Sequence, residues 1–472
     1  MCGVVGIHAP GQDAAGLAAL ALFALQHRGQ ESAGLGVSDG RGVMVYKDLG
    51  LVDQVLDEHR LQSLTGDLAI AHCRYSTTGS TTWENSQPTL RMGSRRTVAV
   101  GHNGNLVNTA ELLAQLPGGR ARLVGTTDTD LLTALLAVEP APDTVTALQQ
   151  LLPRVSGAYA LVVMDEQRVI GVRDPYGFRP LVVGVLPTAD GSAWCLASET
   201  AALDVLGAEY VRDVEPGEMV VLGEGDGGGP RSVRFAPGRE QLCVFELIYF
   251  ARPDSYMLGR NLYEARRRMG EQLAREAPAE ADLVMPVPDT GAPAAAGYAE
   301  ASGIPYREGM VRNRYAGRTF IQPSNGLRQR GVTVKLSALR EQVRGRRLVV
   351  VDDSIVRGTT TRNIVGLLRR AGAKEVHLRI SAPPIFNPCF YGIDTQIETE
   401  LIAARKSLEE IRQFVDADSL SYLSIGGVLA ALDLPRERFC FACFDGNYPV
   451  PVPYDVANHK FLLEQEALVA AR

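Results

Sequence analysis

The stretch Arg347–Thr360, RLVVVDDSIVRGTT, decides the fold of the second half of the chain. Leu348–Val351 is an apolar run without alternation, the pattern of a strand buried on both faces of a parallel sheet. Asp352 and Asp353 follow at its carboxyl end, where open α/β sheets bind ligands. The loop Ser354–Thr360 supplies backbone N–H groups, hydroxyls and one guanidinium. A helix expected over Thr360–Arg370 adds the positive partial charge of its amino terminus. Such a loop cradles a phosphate, and the paired carboxylates suit ribose hydroxyls and a divalent metal.

Working outward, strands are expected at Leu283–Pro286 and Glu375–Ser381 and a helix at Ala292–Ala301. That alternation means a mainly parallel sheet with crossover helices. The first 238 residues read differently. Short strand signals stand at Cys2–Ile7, Leu68–His72, Val98–Gly101, Ala158–Met164, Val169–Arg173 and Met219–Leu222. Helical patterns lie near Ala14–Gln26, Thr109–Leu116 and Thr129–Ala137, with Asn108 and Asp128 in capping positions. Leu17, Leu20, Ala21 and Ala24 share one helical face, expected to be buried. Gly223–Pro237 reads as a surface turn near a domain boundary. The expected division is 2–238, 239–455 and a helical tail over 456–472.

A chain of 472 residues is too long for one core. Its hydrophobic content of 46% and charged content of 22% are those of a globular protein. The net charge of −6 gives no general nucleic-acid surface. No apolar stretch reaches membrane-spanning length, and Asp13 with no preceding basic residue excludes a secretory signal at Ala14–Leu25. No membrane partner and a cytoplasmic location are expected. The seven cysteines are then expected to be reduced, available as nucleophiles or ligands.

The chain starts Met1-Cys2-Gly3-Val4-Val5-Gly6-Ile7. Loss of Met1 would leave a thiol and a free α-amine on Cys2, and an amine of pKa about 8 can serve as base for its own thiol. Four further stretches follow: His27-Arg28-Gly29-Gln30, Ala71–Ser76 (AHCRYS), Gly101–Asn105 (GHNGN) and Thr126–Asp130 (TTDTD). Elsewhere stand Glu246–Ser255 (ELIYFARPDS), Arg312–Pro323 (RNRYAGRTFIQP), Pro388–Asp394 (PCFYGID) and Phe441–Pro449 (FACFDGNYP). Cys440 and Cys443 form a C-x₂-C pair; with Cys243 and Cys389 they offer four thiolates, which suit zinc or [4Fe–4S] equally from spacing alone.

Arg347–Thr360 resembles the phosphoribosyl pyrophosphate (PRPP) signature of type I phosphoribosyltransferases, and the first 130 residues resemble class II glutamine amidotransferases, which are N-terminal nucleophile (Ntn) hydrolases. Jointly, over about residues 2–455, the chain resembles the glutamine PRPP amidotransferase family, iron–sulfur-containing branch. The resemblance implies an α/β (α+β) protein: an Ntn αββα four-layer sandwich, then a parallel-sheet phosphoribosyltransferase domain. It implies synthesis of 5-phosphoribosylamine from PRPP and glutamine, the first committed step of purine synthesis. It assigns Cys2 as nucleophile, Asn103 and Gly104 to the oxyanion hole, and Arg74 and Asp128 to the glutamine α-carboxylate and α-ammonium. PRPP falls to Asp352, Asp353, Ser354, Arg357, Gly358 and Thr359, and Mg²⁺ to Thr290, Asp352 and Asp353. Thr290 stands where the family commonly has serine. A [4Fe–4S] cluster falls to Cys243, Cys389, Cys440 and Cys443. Between Arg312 and Lys335 lie six basic residues (Arg312, Arg314, Arg318, Arg328, Arg330 and Lys335) and no acidic one, coinciding with the family's flexible catalytic loop. Purine nucleotide inhibitors and a homo-oligomer, a tetramer, are further implications. Cys73 and His102 receive no catalytic role, and Cys195 is expected in the core.

Three other readings compete. Hexosamine synthase shares only the first half and would not carry Asp352-Asp353. A PRPP-sensing regulator would not need the amino-terminal residues and would carry a DNA-binding motif. A self-processing amide hydrolase leaves the second half unexplained.

Overall fold

The computed structural model describes residues 1–188, 191–225, 228–313, 336–395, 397–453 and 463–464. The amino-terminal part is built on two antiparallel sheets. One has seven strands in the order Glu209–Asp213, Val182–Thr188, Gly191–Ala197, Gly3–His8, Leu68–Arg74, Ser32–Ser38 and Val43–Leu49. The other has six: Arg231–Arg234, Glu218–Val221, Val169–Arg173, Gly157–Met164, Thr97–Leu106 and Thr89–Met92.

Period-two alternation decides which side chain enters which layer. In Leu68–Arg74, Ala69, Ala71 and Cys73 pack under helix Ala14–Ala24, whereas Leu68 and Ile70 pack between the sheets. In Thr97–Leu106, Val98 and Val100 face helices Asp128–Val138 and Thr144–Leu151, whereas Ala99 faces the other sheet. The result is four layers, helix–sheet–sheet–helix. Continued along the strands, the inter-sheet parity brings Cys2 (with Val4), Arg74 (with Ile70) and Asn103 (with Ala99) to one end of the sandwich.

The second part has a four-stranded, all-parallel sheet in the order Leu283–Pro286, Arg347–Asp352, Glu375–Ile380 and Ser419–Tyr422. Val349 and Val351 bury against one layer, Leu348 and Val350 against the other, as the unalternating run required. Helix Thr359–Arg370 follows the Asp352-Asp353 loop directly. A two-residue parallel ladder sets Leu242-Cys243 beside Phe439-Cys440.

Three expectations are corrected. Helix Ala14–Ala24 is buried as expected at Ala21 and Ala24, with Leu17 packed against the same core, but Leu20 is 46% exposed and Ala14, Ala15, Ala18 and Leu22 are buried as well. Small alanines let the helix lie close on the sheet. Within Gly223–Pro237, Arg231–Arg234 is a strand paired to Glu218–Val221. Neither Asn108 nor Asp128 caps a helix with its side chain. Thr127 caps Asp128–Val138 through Oγ1, which accepts the Asp130 N–H at 3.2 Å, and so leaves the Asp128 carboxylate for other work. Of the tail, Leu463 and Glu464 are described. Of the basic segment, Arg314, Arg318, Arg328, Arg330 and Lys335 lie outside the described residues.

Candidate active sites

At the end of the sandwich the Cys2 N–H donates to Asn103 Oδ1 at 3.0 Å, and the Cys2 thiol contacts the N–H and carbonyl of Tyr75, each at 3.5 Å. Cys2 and Asn103 are buried. Asn103 spends its oxygen on Cys2, and its Nδ2 is left buried without a partner. A buried unpaired donor costs about 1–3 kcal/mol. Its position on the residue that holds Cys2 suits it to an oxygen that gains charge during reaction. Gly104 follows with φ +155°, and a Cβ there would stand 2.0 Å from the Ala158 carbonyl oxygen, so glycine is required.

Arg74 is buried, and its guanidinium donates to the carbonyls of Thr78, Ser80 and Gly79 at 3.1, 3.1 and 3.3 Å. It thereby organises the loop after its strand, with Glu31 Oε2 3.9 Å away. Asp128 accepts the N–H of Leu106 at 3.0 Å and of Thr129 at 2.8 Å, and His102 Nδ1 lies 3.7 Å from it. Burial pushes its carboxyl up, but His102 and those two N–H groups outweigh burial and hold it below the usual range. Burial drives His72 down to about 3, so it is neutral, and drives the Cys73 thiol up to about 12, so it is inert. Burial likewise raises Cys195, a core residue, to about 12.

At the carboxyl ends of the parallel strands, Asp352 and Asp353 are buried side by side. Burial raises both carboxyls above their usual range, and the charge of Asp353 raises Asp352 further. Thr290 Oγ1 and Ser354 Oγ both donate to Asp353. Gly358, at φ +74°, turns the chain into helix Thr359–Arg370, whose first turn has no side-chain cap. Arg357 is paired with Glu400, Nε to Oε2 2.9 Å, rather than directed at the loop. Arg312 pairs with Asp289 at 2.9 Å.

One cavity of about 680 Å³ touches both ends: Met1 and Tyr75 on one side, Thr290, Asp352, Asp353, Ser354 and Val356–Thr361 on the other. Phe245, Tyr249, Phe250, Val356, Ile385 and Ile393 line the space between. The segment 390–392, just before the cavity-lining Ile393 and Asp394, also packs against the first site. Asn105 Nδ2 donates to the Phe390 carbonyl at 3.0 Å, and a Cβ on Gly392 would lie 3.2 Å from Gly104 Cα. Arg179 Nε donates to the Tyr391 carbonyl at 2.9 Å.

A profile of the glutamine amidotransferase domain matches residues 72–205, and one of the phosphoribosyl transferase domain matches 254–384. The amidophosphoribosyltransferase of Mycobacterium bovis is 52% identical, covering 100% of this chain and 90% of its own length. The chain belongs to the amidophosphoribosyltransferase family. That of Synechococcus elongatus is 49% identical over 98% of this chain and 94% of its own. The solved B. subtilis glutamine PRPP amidotransferase, complexed with ADP and GMP, superposes with a TM-score of 0.88 at 45% identity, covering 96% of this chain and 98% of that one. The Ntn-type sandwich and phosphoribosyltransferase sheet are thus those of the family, and the chain is an amidophosphoribosyltransferase acting at the first step of purine synthesis. No helix among the described residues is long and apolar enough to cross a membrane.

The amidophosphoribosyltransferase fold uses Mg²⁺ with PRPP in general. Two buried carboxylates of raised proton affinity fit that cation, since Mg²⁺ usually takes one or two carboxylates and completes its shell with water and substrate oxygens. A cluster is not shown: among the described residues no group of three or more His, Cys, Asp or Glu is placed to hold a metal. The four cysteines do converge. Cys243 pairs with Cys440 in register, the Cys443 carbonyl accepts the N–H groups of Phe386 and Asn387 at 3.0 Å, and the Cys443 thiol senses the charge of the other three. Burial raises Cys440 and Cys443 well above the usual thiol range and Cys243 to about 11.

Several residues near the sites escaped the sequence reading. Arg28, quoted without a role, donates to the Cys2 carbonyl at 2.9 Å and to Glu246 at 2.8 Å. Glu31 accepts from the Ser76 N–H at 3.0 Å and from Thr81 Oγ1 at 3.0 Å. Glu464, in a tail without any signal, reaches Ser80 and Thr126.

Proposed function

We propose that glutamine is hydrolysed at Cys2 and that its ammonia crosses the shared cavity to PRPP held at Asp352–Thr359. The observation that carries this reading is the continuity of one cavity between two chemically distinct ends. With Met1 removed, the Cys2 α-amine takes the proton of the thiol, and sulfur attacks the side-chain amide carbon. Nδ2 of Asn103 and the N–H of Gly104 receive the oxyanion, and Arg74 and Asp128 hold the α-carboxylate and α-ammonium. Collapse expels ammonia with a proton returned by the amine, and water then releases glutamate from the thioester. With Met1 in place, burial, helped by Arg28 and Arg179, lowers the Met1 amine to about 6, so the surroundings of Cys2 favour a neutral terminal amine.

Ammonia attacks ribose C1 as the bond to pyrophosphate breaks, and the extra proton on nitrogen is lost to solvent. Ser354–Thr359 and the helix terminus receive the 5′-phosphate, for which Arg357 leaves Glu400. Asp352 and Asp353 face the ribose hydroxyls and, with Thr290, Mg²⁺. Bound Mg²⁺ supplies neutralisation of the pyrophosphate charge. Purine nucleotides, sharing a ribose 5-phosphate, compete for the same loop. Domain limits at 2–238 and 239–455, a homotetramer and a cytoplasmic location complete the reading.

Residues 390–392 touch Gly104 and the Asn105 side chain, and Ile393 and Asp394 beside them line the cavity, which supports a path by which ordering around PRPP is felt at the oxyanion strand. Glutaminase activity should therefore rise with PRPP and fall with AMP or GMP, and by linkage glutamine should tighten PRPP. Glutamate release titrated with each ligand is the measurement; a rate indifferent to PRPP rejects transfer through the cavity.

The four converging thiols are assigned a [4Fe–4S] cluster with a structural role, tying the segments of Cys243, Cys389 and Cys440–Cys443 together. Neither reaction moves electrons. Protein purified without oxygen should be brown with about four irons per chain. Stoichiometric zinc and no visible absorbance would replace the cluster with a zinc site.

A further inference from the structure

The described part of the carboxy-terminal tail reaches the Cys2 end of the molecule. Glu464 Oε1 accepts the Ser80 N–H and the Ser80 hydroxyl, each at 2.6 Å, and the Thr126 hydroxyl at 3.1 Å. Leu463 beside it is buried, and its carbonyl accepts Arg120 Nε at 3.3 Å. The carboxylate thus joins two segments far apart in sequence. Ser80 belongs to the loop whose carbonyls hold the Arg74 guanidinium, Ser80's own carbonyl accepting Arg74 at 3.1 Å. Thr126 lies two residues before Asp128, in the approach to its helix. Asn85 runs parallel to this link: its Nδ2 donates to the Ser80 carbonyl and to Thr126 Oγ1, each at 2.9 Å, and its Oδ1 accepts the Thr126 N–H at 2.8 Å.

We infer that Glu464 is a positioning residue for glutamine: it locks the Ser80 loop to the Thr126 segment, and so fixes Arg74 and Asp128 at the separation that the two charged ends of the amino acid need. This rests on the assignment of Arg74 and Asp128 to glutamine. Three donors converge on one carboxylate oxygen, which is more than a surface side chain gains by chance contact, and two of them come from a single residue of the Arg74 loop. Asn85 can hold the same segments in neutral form. Glu464 adds a charge-assisted link that Asn85 cannot supply, and it places a negative charge in the field of Arg74. Among the described residues, the hydrogen-bond partners of Glu464 are Ser80 and Thr126, on the glutamine side, so its effect should fall on glutamine.

The test is steady-state kinetics of the full-length enzyme with glutamine and, separately, with ammonia, for Glu464→Ala, Glu464→Gln and Arg74→Ala. Glu464→Ala should raise KM for glutamine about tenfold with kcat nearly unchanged and with ammonia-dependent synthesis at the wild-type rate. Glu464→Gln keeps an acceptor oxygen at the same place but not the charge and should recover only part of the loss. Normal ammonia-dependent synthesis certifies that each variant is folded. An unchanged KM in Glu464→Ala, beside a raised one in Arg74→Ala, overturns the clamp and leaves the glutamine site standing. A lowered KM overturns it in the other direction, making the tail a competitor of the substrate. No effect of Arg74→Ala on glutamine would remove the assignment on which the clamp rests.

Discussion

Cys2→Ala abolishes glutamine-dependent synthesis, by on the order of 10³-fold or more, and leaves ammonia-dependent synthesis near the parent rate. The size follows from the chemistry: no other nucleophile is available, because burial leaves Cys73 protonated and Cys195 lies in the core. The selectivity follows from geometry. The sulfur touches Tyr75, whereas the phosphoribosyl loop lies across the cavity and admits ammonia from solution. Folding is not at issue, since the substitution removes one buried sulfur with two weak 3.5 Å contacts, worth about 1 kcal/mol. Retention of Met1 should reproduce the same pattern for a different reason. Its peptide bond turns the proposed base into an amide, which donates to Asn103 but accepts no proton. Initial rates with each nitrogen source, combined with intact mass to read the first residue, decide the matter. Equal loss of both activities in a folded variant would mean that Cys2 serves the second site as well.

Local patterns carried the fold a long way. Leu348–Val351 had no polar residue to alternate with, and it is indeed buried on both faces. Gly104 stands in a strand where its φ and the nearby Ala158 carbonyl require glycine, a constraint set by a neighbouring strand and not by the GHNGN run itself. What failed depended on partners distant in sequence. A helix shows its polar and apolar faces in its residues, but the choice of alanines over leucines at Ala14–Ala24 depends on how near the sheet comes. Arg231–Arg234 was hidden among glycines and prolines, and its pairing with Glu218–Val221 supplies the hydrogen bonds that its composition does not advertise. Glu464 had no chance of being read: its partners are 384 and 338 positions away, and nothing periodic surrounds it. Asp128 was half legible, mistaken for a cap because Thr127 and Asp128 are both capping residues and only the turn geometry chooses between them.

Asp352→Asn and Asp353→Asn lower synthesis with either nitrogen source by roughly 10²–10³-fold, about 3–4 kcal/mol of transition-state binding, while basal glutaminase is spared. The same substitutions should not cost stability, and this separates a functional loss from a structural one. Burial raises both carboxyls above their unfolded values, and the charge of Asp353 adds to the rise at Asp352. A group whose proton is held more tightly in the native state favours folding while it is protonated, and that stability is lost as pH rises from the unfolded pKa through the native one. At neutral pH without a divalent cation the wild-type pair is therefore a burden on the fold. An asparagine at either position removes one of the two charges; at 352 it keeps an oxygen for the Asp353 N–H, and at 353 it keeps an acceptor for one of Thr290 and Ser354, whose hydroxyls reach different oxygens. Metal-free wild type should lose thermal stability as pH climbs out of the carboxylate range, and each Asn variant should lose less. Mg²⁺ with PRPP should restore the wild type and do little for the variants, since the charge that draws the cation is halved. Melting curves from pH 4 to 8, with and without Mg²⁺ and PRPP, measure this beside the two synthase rates. Variants that melt far below the parent at pH 7, or that keep near-parent synthesis, would show that the pair holds the loop rather than the substrate.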